Sequence, residues 1–389
     1  MISSIDVVDM EAQRWICMKN SFSKTVLLVL AALCLTQVAT SQMRYWDAKR
    51  TWVFCVGLLE WKDSESFASF PKENRRDEIL LKVLKERGVP TSQVVYLQDR
   101  SATTDTITSE FVKLLARTRA GDTVFVYYEG HGYKDDNSNT FFASYDVDDE
   151  RNPGWAVASI PATIEKYFRG STAIIAMDNC YSGAMVEAVN SARRRVSYAV
   201  MASSSSSQSS TGNWTFTEAL INAFSGSPVT DDNKDGVVTF AELEANASAD
   251  MLFGEEQVAS FAFVGGFDPA TKIADSPITN SPRIGERLEA YSIDGWYKGY
   301  VIGAKGGKYN IHYYGYEEAD NEWVTPKMMR IPKAKSIYKI GEKVQVEYKK
   351  EWFAAHVLNI RGGSHFVSYD DYDTDENEWV PSKRIRKLK

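Results

Sequence analysis

Residues 172–185 read T-A-I-I-A-M-D-N-C-Y-S-G-A-M. The apolar run Ala173 to Met177 has the length and continuity of a strand buried on both faces, and at Asp178-Asn179-Cys180 it gives way to small and polar residues. Cys180 is therefore expected just past a strand end. Residues 123–128, T-V-F-V-Y-Y, repeat the design: a β-branched and aromatic run that breaks into Glu129-Gly130-His131-Gly132. His131 is expected just past a strand end as well. Two such strands, parallel in one sheet, deliver both side chains to its carboxyl edge, where open α/β sheets place their crevices.

The surrounding pattern supports a sheet of this kind. Trp52 to Leu59 reads as a first strand, Asn74 to Arg87 as an amphipathic helix, Val94 to Leu97 as a strand and Thr106 to Arg119 as a helix. Helices over Ile160 to Phe168 and Met185 to Arg194 then bracket the Cys180 strand, and Val196 to Ala202 reads as another core strand. This alternation predicts βαβ units and a mostly parallel sheet flanked by helices. The chain holds four histidines, and three of them (His312, His356, His365) lie near its end. His131 is thus the one imidazole that the first three-quarters offers to Cys180. A thiol needs a base or cation beside it to become the reactive thiolate.

The motifs Y-Y-E-G-H-G-Y at 127–133 and D-N-C-Y-S-G at 178–183, in this order and spacing, carry a resemblance. From about Thr51 to Asp268 the chain resembles the caspase-type cysteine peptidases, and more closely their metacaspase and bacterial caspase-like branch. The resemblance implies an α/β caspase-like sandwich that hydrolyses peptide bonds by a Cys-His dyad, with Cys180 as nucleophile and His131 as its acid-base partner. Glycine at 132 lets its amide approach a substrate, so the N–H groups of Gly132 and Cys180 are the candidate oxyanion hole. Asp178 matches the family carboxylate that lines the S1 pocket and selects Arg or Lys, in keeping with the preference of a partly desolvated carboxylate for a bidentate guanidinium. Asp77 is either a second pocket carboxylate or an ordinary acid at a helix start. The serine run Ser203 to Ser210 is either a loop beside the nucleophile or a solvated linker. Arg193-Arg194-Arg195 is either a self-processing site or a basic helix end.

Residues 231–242, D-D-N-K-D-G-V-V-T-F-A-E, fill the twelve-residue calcium-loop pattern. Asp231, Asn233, Asp235, the Val237 carbonyl, Thr239 and Glu242 are the candidate ligands, Gly236 makes the sharp turn, and helical patterns flank the loop. Calcium is the expected cofactor, and no organic cofactor is expected.

After a Pro- and Ser-containing linker at 276–282 the chain repeats itself with a constant shift of 56. Ile284-Gly285-Glu286 recurs as Ile340-Gly341-Glu342, and Asn321-Glu322-Trp323-Val324 as Asn377-Glu378-Trp379-Val380. Two small all-β units are expected, at 283–332 and 337–389, each with about four short strands, and their pattern resembles Tudor- or agenet-type SH3-like barrels. Tyr313, Tyr316 and Trp323, with Tyr369, Tyr372 and Trp379, are either interior filling or aromatic cages for methylated side chains. The lysine-rich end at 383–389 reads as solvated strand ends.

The net charge of −7 argues against general nucleic-acid binding. Val26 to Leu35 is an unbroken apolar run, preceded by Lys19 and Lys24 and followed by Ala39-Thr40-Ser41, which reads as a leader and secretion signal over 1–41. Met18 is the better initiator, and Cys34 fails as a lipoprotein site because Leu33 is too large. A secreted or periplasmic peptidase domain over 43–275, with no membrane span left after cleavage, is the expectation. Cys55 reads as a small core residue. The reading from a different class is a caspase-like scaffold without turnover, whose repeats bind a protein or surface partner.

Overall fold

The computed structural model describes residues 44–148, 151–191, 194–332, 338–348, 350–361, 364–372 and 377–388. The expected leader and signal segment, Arg193 and Gly362-Gly363 lie outside the described residues. Among the described residues no helix is long and apolar enough to cross a membrane.

Strands β1 (Thr51–Gly57), β2 (Val94–Gln98), β3 (Thr123–Glu129), β7 (Thr172–Asp178), β8 (Ser197–Ala202) and β10 (Ser260–Val264) form one sheet in the order β10-β8-β7-β3-β1-β2. All neighbours are parallel except β10, which runs antiparallel along β8. The alternation of side chains along each strand assigns the helices to two layers. Val124, Val126, Tyr128, Ile175 and Met177 pack under α2 (Thr104–Arg117), α3 (Ser159–Tyr167) and α4 (Ala184–Ser191). Phe125, Tyr127, Ile174 and Ala176 pack under α1 (Arg76–Glu86), α5 (Thr215–Ser225) and α6 (Phe240–Asp250). Cys55 belongs to this second core, where burial pushes its thiol well up. Both faces being covered is what permits the near-continuous apolar strands.

Strands β4 (Gly132–Lys134), β5 (Thr140–Phe142) and β6 (Trp155–Ala156) make a small antiparallel sheet directly after His131. Beyond α5 comes the loop that contains β9 (Val237–Thr239), which pairs with β11 (Lys272–Asp275).

The rest of the chain is two curled antiparallel sheets. Strands β12 (Arg287–Ser292), β13 (Gly295–Lys305), β14 (Lys308–Tyr313), β15 (Glu322–Val324) and β16 (Met329–Arg330) form the first. Strands β17 (Lys343–Tyr348), β18 (Glu351–Arg361), β19 (Ser364–Tyr369), β20 (Glu378–Pro381) and β21 (Ile385–Lys387) form the second. The 56-residue shift extends to the bulges, which fall between Val301 and Gly303 and between Val357 and Asn359. Each sheet has five strands rather than four, because the closing strands β16 and β21 are too short to show a periodicity. The basic end is correspondingly not solvated throughout. Ile385 is buried, Arg386 lies over the Trp352 ring at 3.9 Å, and Arg384 clamps Glu378.

Candidate functional site

Strands β3 and β7 are neighbours in register, with Glu129 opposite Asp178, so the two loops that follow leave the sheet side by side. Gly132 shows how closely they meet: a Cβ placed there would lie 2.3 Å from both the Asn179 Nδ2 and the Cys180 carbonyl oxygen. Only glycine fits between them. Tyr181, next after Cys180, takes φ 60, an uncommon conformation for a tyrosine that turns the chain sharply from β7 toward α4.

The His131 imidazole sits among aromatic rings, with Trp61 and Phe70 at centroid distances of 4.5 and 4.6 Å. Its Nε2 is 2.8 Å from the Ala68 carbonyl, which can only accept, so the hydrogen sits on Nε2 and the neutral ring keeps a lone pair on Nδ1. Burial among the rings lowers its pKa below the usual imidazole range, and the Ala68 carbonyl opposes that shift. Cys180 is half-buried and free, and its hydrogen-bond partner is the serine loop rather than the imidazole: the Ser210 N–H donates to Sγ at 3.2 Å.

That loop is not a solvated linker. Ser203 and Ser204 are fully buried, the Ser204 hydroxyl donates to the Asn179 carbonyl at 3.0 Å, and its backbone packs on Gly183. Further along, Gln257 accepts from the Thr211 amide, and Glu255 accepts from Thr211, Asn213 and Thr215. The serine loop is thus built into the wall beside the thiol.

Three carboxylates lie under the α1 and α5 layer. Asp178 is 1% exposed, and its Oδ2 accepts from the Thr217 amide at 3.1 Å and hydroxyl at 2.7 Å. Burial raises its pKa to about 6, against the lowering pull of the Thr217 and Ser203 hydroxyls. Asp77 is fully buried and accepts from Tyr96 at 2.7 Å and Arg75 at 3.2 Å, and burial raises it too. It caps nothing distant: its Oδ1 takes the neighbouring Glu78 amide, while Oδ2 reaches into the layer. Glu129, which sequence reasoning left out of the site, is fully buried, accepts from Tyr127 through Oε2 and leaves Oε1 without a partner. Its place at the strand end opposite Asp178 was the available signal. Asp178 and Asp77 are therefore close to the sheet edge but enclosed.

In the calcium-type loop the Asp231 Oδ2 accepts from the Gly236 amide and Oδ1 is buried without a partner. Asn233 accepts from the Asp235 amide, and Asp235 from Val237. Thr239 caps α6, with Glu242 reaching back to the Thr239 amide. An all-oxygen set with an orphaned buried carboxylate oxygen suits calcium. Among the described residues no group of three or more His, Cys, Asp and Glu side chains is gathered as it stands to hold a metal.

In the repeats the aromatic trios differ from expectation. Tyr297, Tyr313 and Tyr316 contact one another edge to face, with centroids 5.8 to 6.3 Å apart and planes steeply inclined. Phe353, Tyr369 and Tyr372 do the same in the second repeat. Trp323 lies over Gly303 and Trp379 packs on Phe366, so neither indole completes a trio; Tyr297 and Phe353, themselves 56 apart, do. The spacing of the repeat carried that signal.

The Agenet domain family matches residues 341–389. No curated protein matches the chain. Among solved structures it is similar to Tbtudor, at 19% identity over 13% of this chain and 97% of that one, with a TM-score of 0.13. It is similar to a protein from Geobacter sulfurreducens at 15% identity over 59% of this chain and 98% of that one, with a TM-score of 0.40. It is also similar to the SHH1 SAWADEE domain in complex with an H3K9me3 peptide, at 19% identity over 26% and 97%, with a TM-score of 0.13. The end of the chain, residues 341–389, is an Agenet, Tudor-like domain.

Proposed function

We propose that the chain is a caspase-like cysteine endopeptidase that cleaves after arginine or lysine, with two small C-terminal modules that bind polypeptide. The observation that carries this is the in-register exit of β3 and β7, which lays the His131 loop on the Cys180 loop through Gly132. In the proposed reaction the Cys180 sulfur attacks the substrate carbonyl carbon and its proton goes to Nδ1 of His131, the nitrogen left free by the Ala68 contact. The Gly132 and Cys180 amides receive the oxyanion, His131 returns the proton to the leaving amine, and water then hydrolyses the thioester. Ser210 must move off the sulfur for substrate to enter.

The basic preference rests on Asp178, with Asp77 and the unpartnered Glu129 Oε1 on the same side of the sheet. Movement of the serine loop would also release Ser203 from Asp178. Calcium would be held by Asp231, Asn233, Asp235, the Val237 carbonyl, Thr239 and Glu242, and it would supply charge that fixes the α5-loop-α6 segment. Secretion follows from the leader pattern alone.

The bond from Ser210 to Sγ also favours a second reading, a scaffold without turnover. Fluorogenic peptides ending in Arg, Lys and Asp, assayed beside a thiol-alkylating probe, test both. Cleavage after Arg and Lys that is lost in Cys180→Ala is expected. Preference for Asp would remove the pocket assignment, and an unlabelled Cys180 without turnover would leave the scaffold.

A further inference from the structure

The serine loop closes over the thiol through several ties, and one of them comes from outside the α/β unit. The Ser210 amide donates to the Cys180 Sγ at 3.2 Å, and the Ser210 carbonyl oxygen stands 3.8 Å from the same atom. A substrate carbonyl carbon must come within about 3.5 Å of that sulfur before a bond can form, so Ser210 stands where substrate has to enter. Its neighbours hold it there. The Tyr181 amide donates to the Gln208 carbonyl at 3.0 Å, the Val258 amide to Gln208 Oε1 at 3.0 Å, and Gln257 Nε2 to the Ser210 hydroxyl at 3.2 Å. The loop also lies flat on the turn after Cys180: a Cβ on Gly183 would stand 2.5 Å from the Ser206 amide nitrogen.

The tie from outside is Ser207, whose hydroxyl donates to Glu378 Oε2 on β20 of the second repeat at 2.9 Å. Glu378 is a fixed acceptor rather than a swinging surface carboxylate. It is buried, Arg384 grips its two oxygens at 2.8 and 3.0 Å, and the Tyr369 hydroxyl donates to Oε1 at 2.6 Å. Arg384 is held in turn, with its Nε on the Glu347 carbonyl at 2.8 Å. A hydrogen bond to a carboxylate is stronger than one between neutral groups, and an acceptor fixed beforehand spares the entropy of ordering it. The duplication isolates the device. Glu322, 56 residues earlier, keeps its tyrosine in Tyr313, but the position equivalent to Arg384 is Met328.

The two repeats are also seated differently. The first is bound to α1, α5 and α6 by Arg76 with Glu317, Asn222 with Tyr300 and Asp250 with Arg287. Beside the second, a cleft of about 910 Å³ stays open toward α4 and β5, and polar and charged side chains such as Lys134, Asn139 and Glu187 line its far side. Such walls are as well served by water as by one another. The apolar core of this repeat, built on Val344, Val346, Val357, Val367 and Val380, is its own, so the repeat can lift as a body.

We propose that the second repeat is an autoinhibitory latch. Docked, it pins the serine loop through Ser207 and Glu378 and keeps Ser210 on the thiol; lifted, it frees the loop and opens Cys180. The consequence for cleavage rests on the peptidase reading, whereas access to the sulfur does not.

The test is made on the full chain with three readouts. Alkylation of Cys180 by iodoacetamide is followed by peptide mass at about pH 9.5, where an ordinary thiol is ionised and the rate reports access. Amide hydrogen exchange of residues 203–211 and hydrolysis of a fluorogenic tripeptide ending in Arg are followed beside it. Ser207→Ala and Arg384→Met are expected to raise alkylation and exchange about tenfold, and tripeptide kcat/KM with them. Glu322→Gln in the first repeat should change none of the three. If Arg384→Met loosens the repeat itself, exchange in the strands of that repeat rises too, and Ser207→Ala, which lies outside it, decides alone. Unchanged alkylation and exchange in Ser207→Ala overturn the proposal, as does an equal acceleration in Glu322→Gln. Hydrolysis that stays level while alkylation rises also overturns it. Faster alkylation in a chain that hydrolyses no tripeptide keeps the latch and sinks the peptidase reading instead.

Discussion

Asp178 shows how one residue's chemistry is set by what covers it. Its pKa is raised to about 6, so between the ordinary carboxylate range and about 6 the folded state holds a proton that the unfolded chain has lost. Its contribution to stability is therefore present at acid pH and declines as pH rises through 6. Asp178→Asn keeps an acceptor for Thr217 and removes the buried charge. It should raise Tm by a few degrees at pH 8 and by much less at pH 5, as read by thermal melts. The same variant should erase the preference for Arg over neutral residues. At His131 burial favours the neutral ring, which places the acid limb of kcat/KM below the usual imidazole range. In His131→Lys that limb should vanish together with turnover.

At the scale of elements, the β3 and β7 loops work only as a fitted pair. Gly132→Ala places a methyl 2.3 Å from the Cys180 carbonyl oxygen, and one loop must move. Activity should fall at least about a hundredfold with little change in Tm, since the strands stay paired. The α5-loop-α6 unit carries the calcium prediction. Added calcium should raise Tm by several degrees and a chelator should reverse it, because a ligand that binds only the folded state stabilises it by mass action. Glu242→Gln should abolish the shift. Loss of the capping box alone would lower Tm without removing the calcium response.

Across the whole molecule, the first repeat is anchored by a cluster whose members lie up to 64 residues apart in the chain, in which Asp250 at the end of α6 takes Arg287 at 2.8 Å and the Tyr314 hydroxyl. Asp250→Ala removes the acceptor of the half-buried Tyr314 hydroxyl and of the Arg287 Nε, while the Arg287 Nη2 keeps the Asn246 carbonyl at 2.9 Å. It should cost roughly 2 kcal/mol, discounted for the partial exposure of the arginine, and expose residues 276–282 to limited proteolysis.

The two apolar runs that end in His131 and Cys180, the alternating helices and the 56-residue repeat were all legible in the sequence. Each is local: a strand buried on both faces must be continuously apolar, and a duplicated unit must duplicate its turns and bulges. The edge strand β10, the closing strands β16 and β21 and the enclosure of Asp77, Glu129 and Asp178 were not legible. A short strand is defined by the partner it pairs with, and a carboxylate is buried or open according to what folds over it. The membership of the aromatic trios belongs to the same class, because Tyr297 and Phe353 meet their partners across neighbouring strands. So does the cleft that the second repeat forms with α4 and the serine loop. Sequence determined which residues reach the carboxyl edge of the sheet. Only tertiary packing decided what stands opposite them, because contacts between distant segments are set by shape and burial rather than by any local pattern.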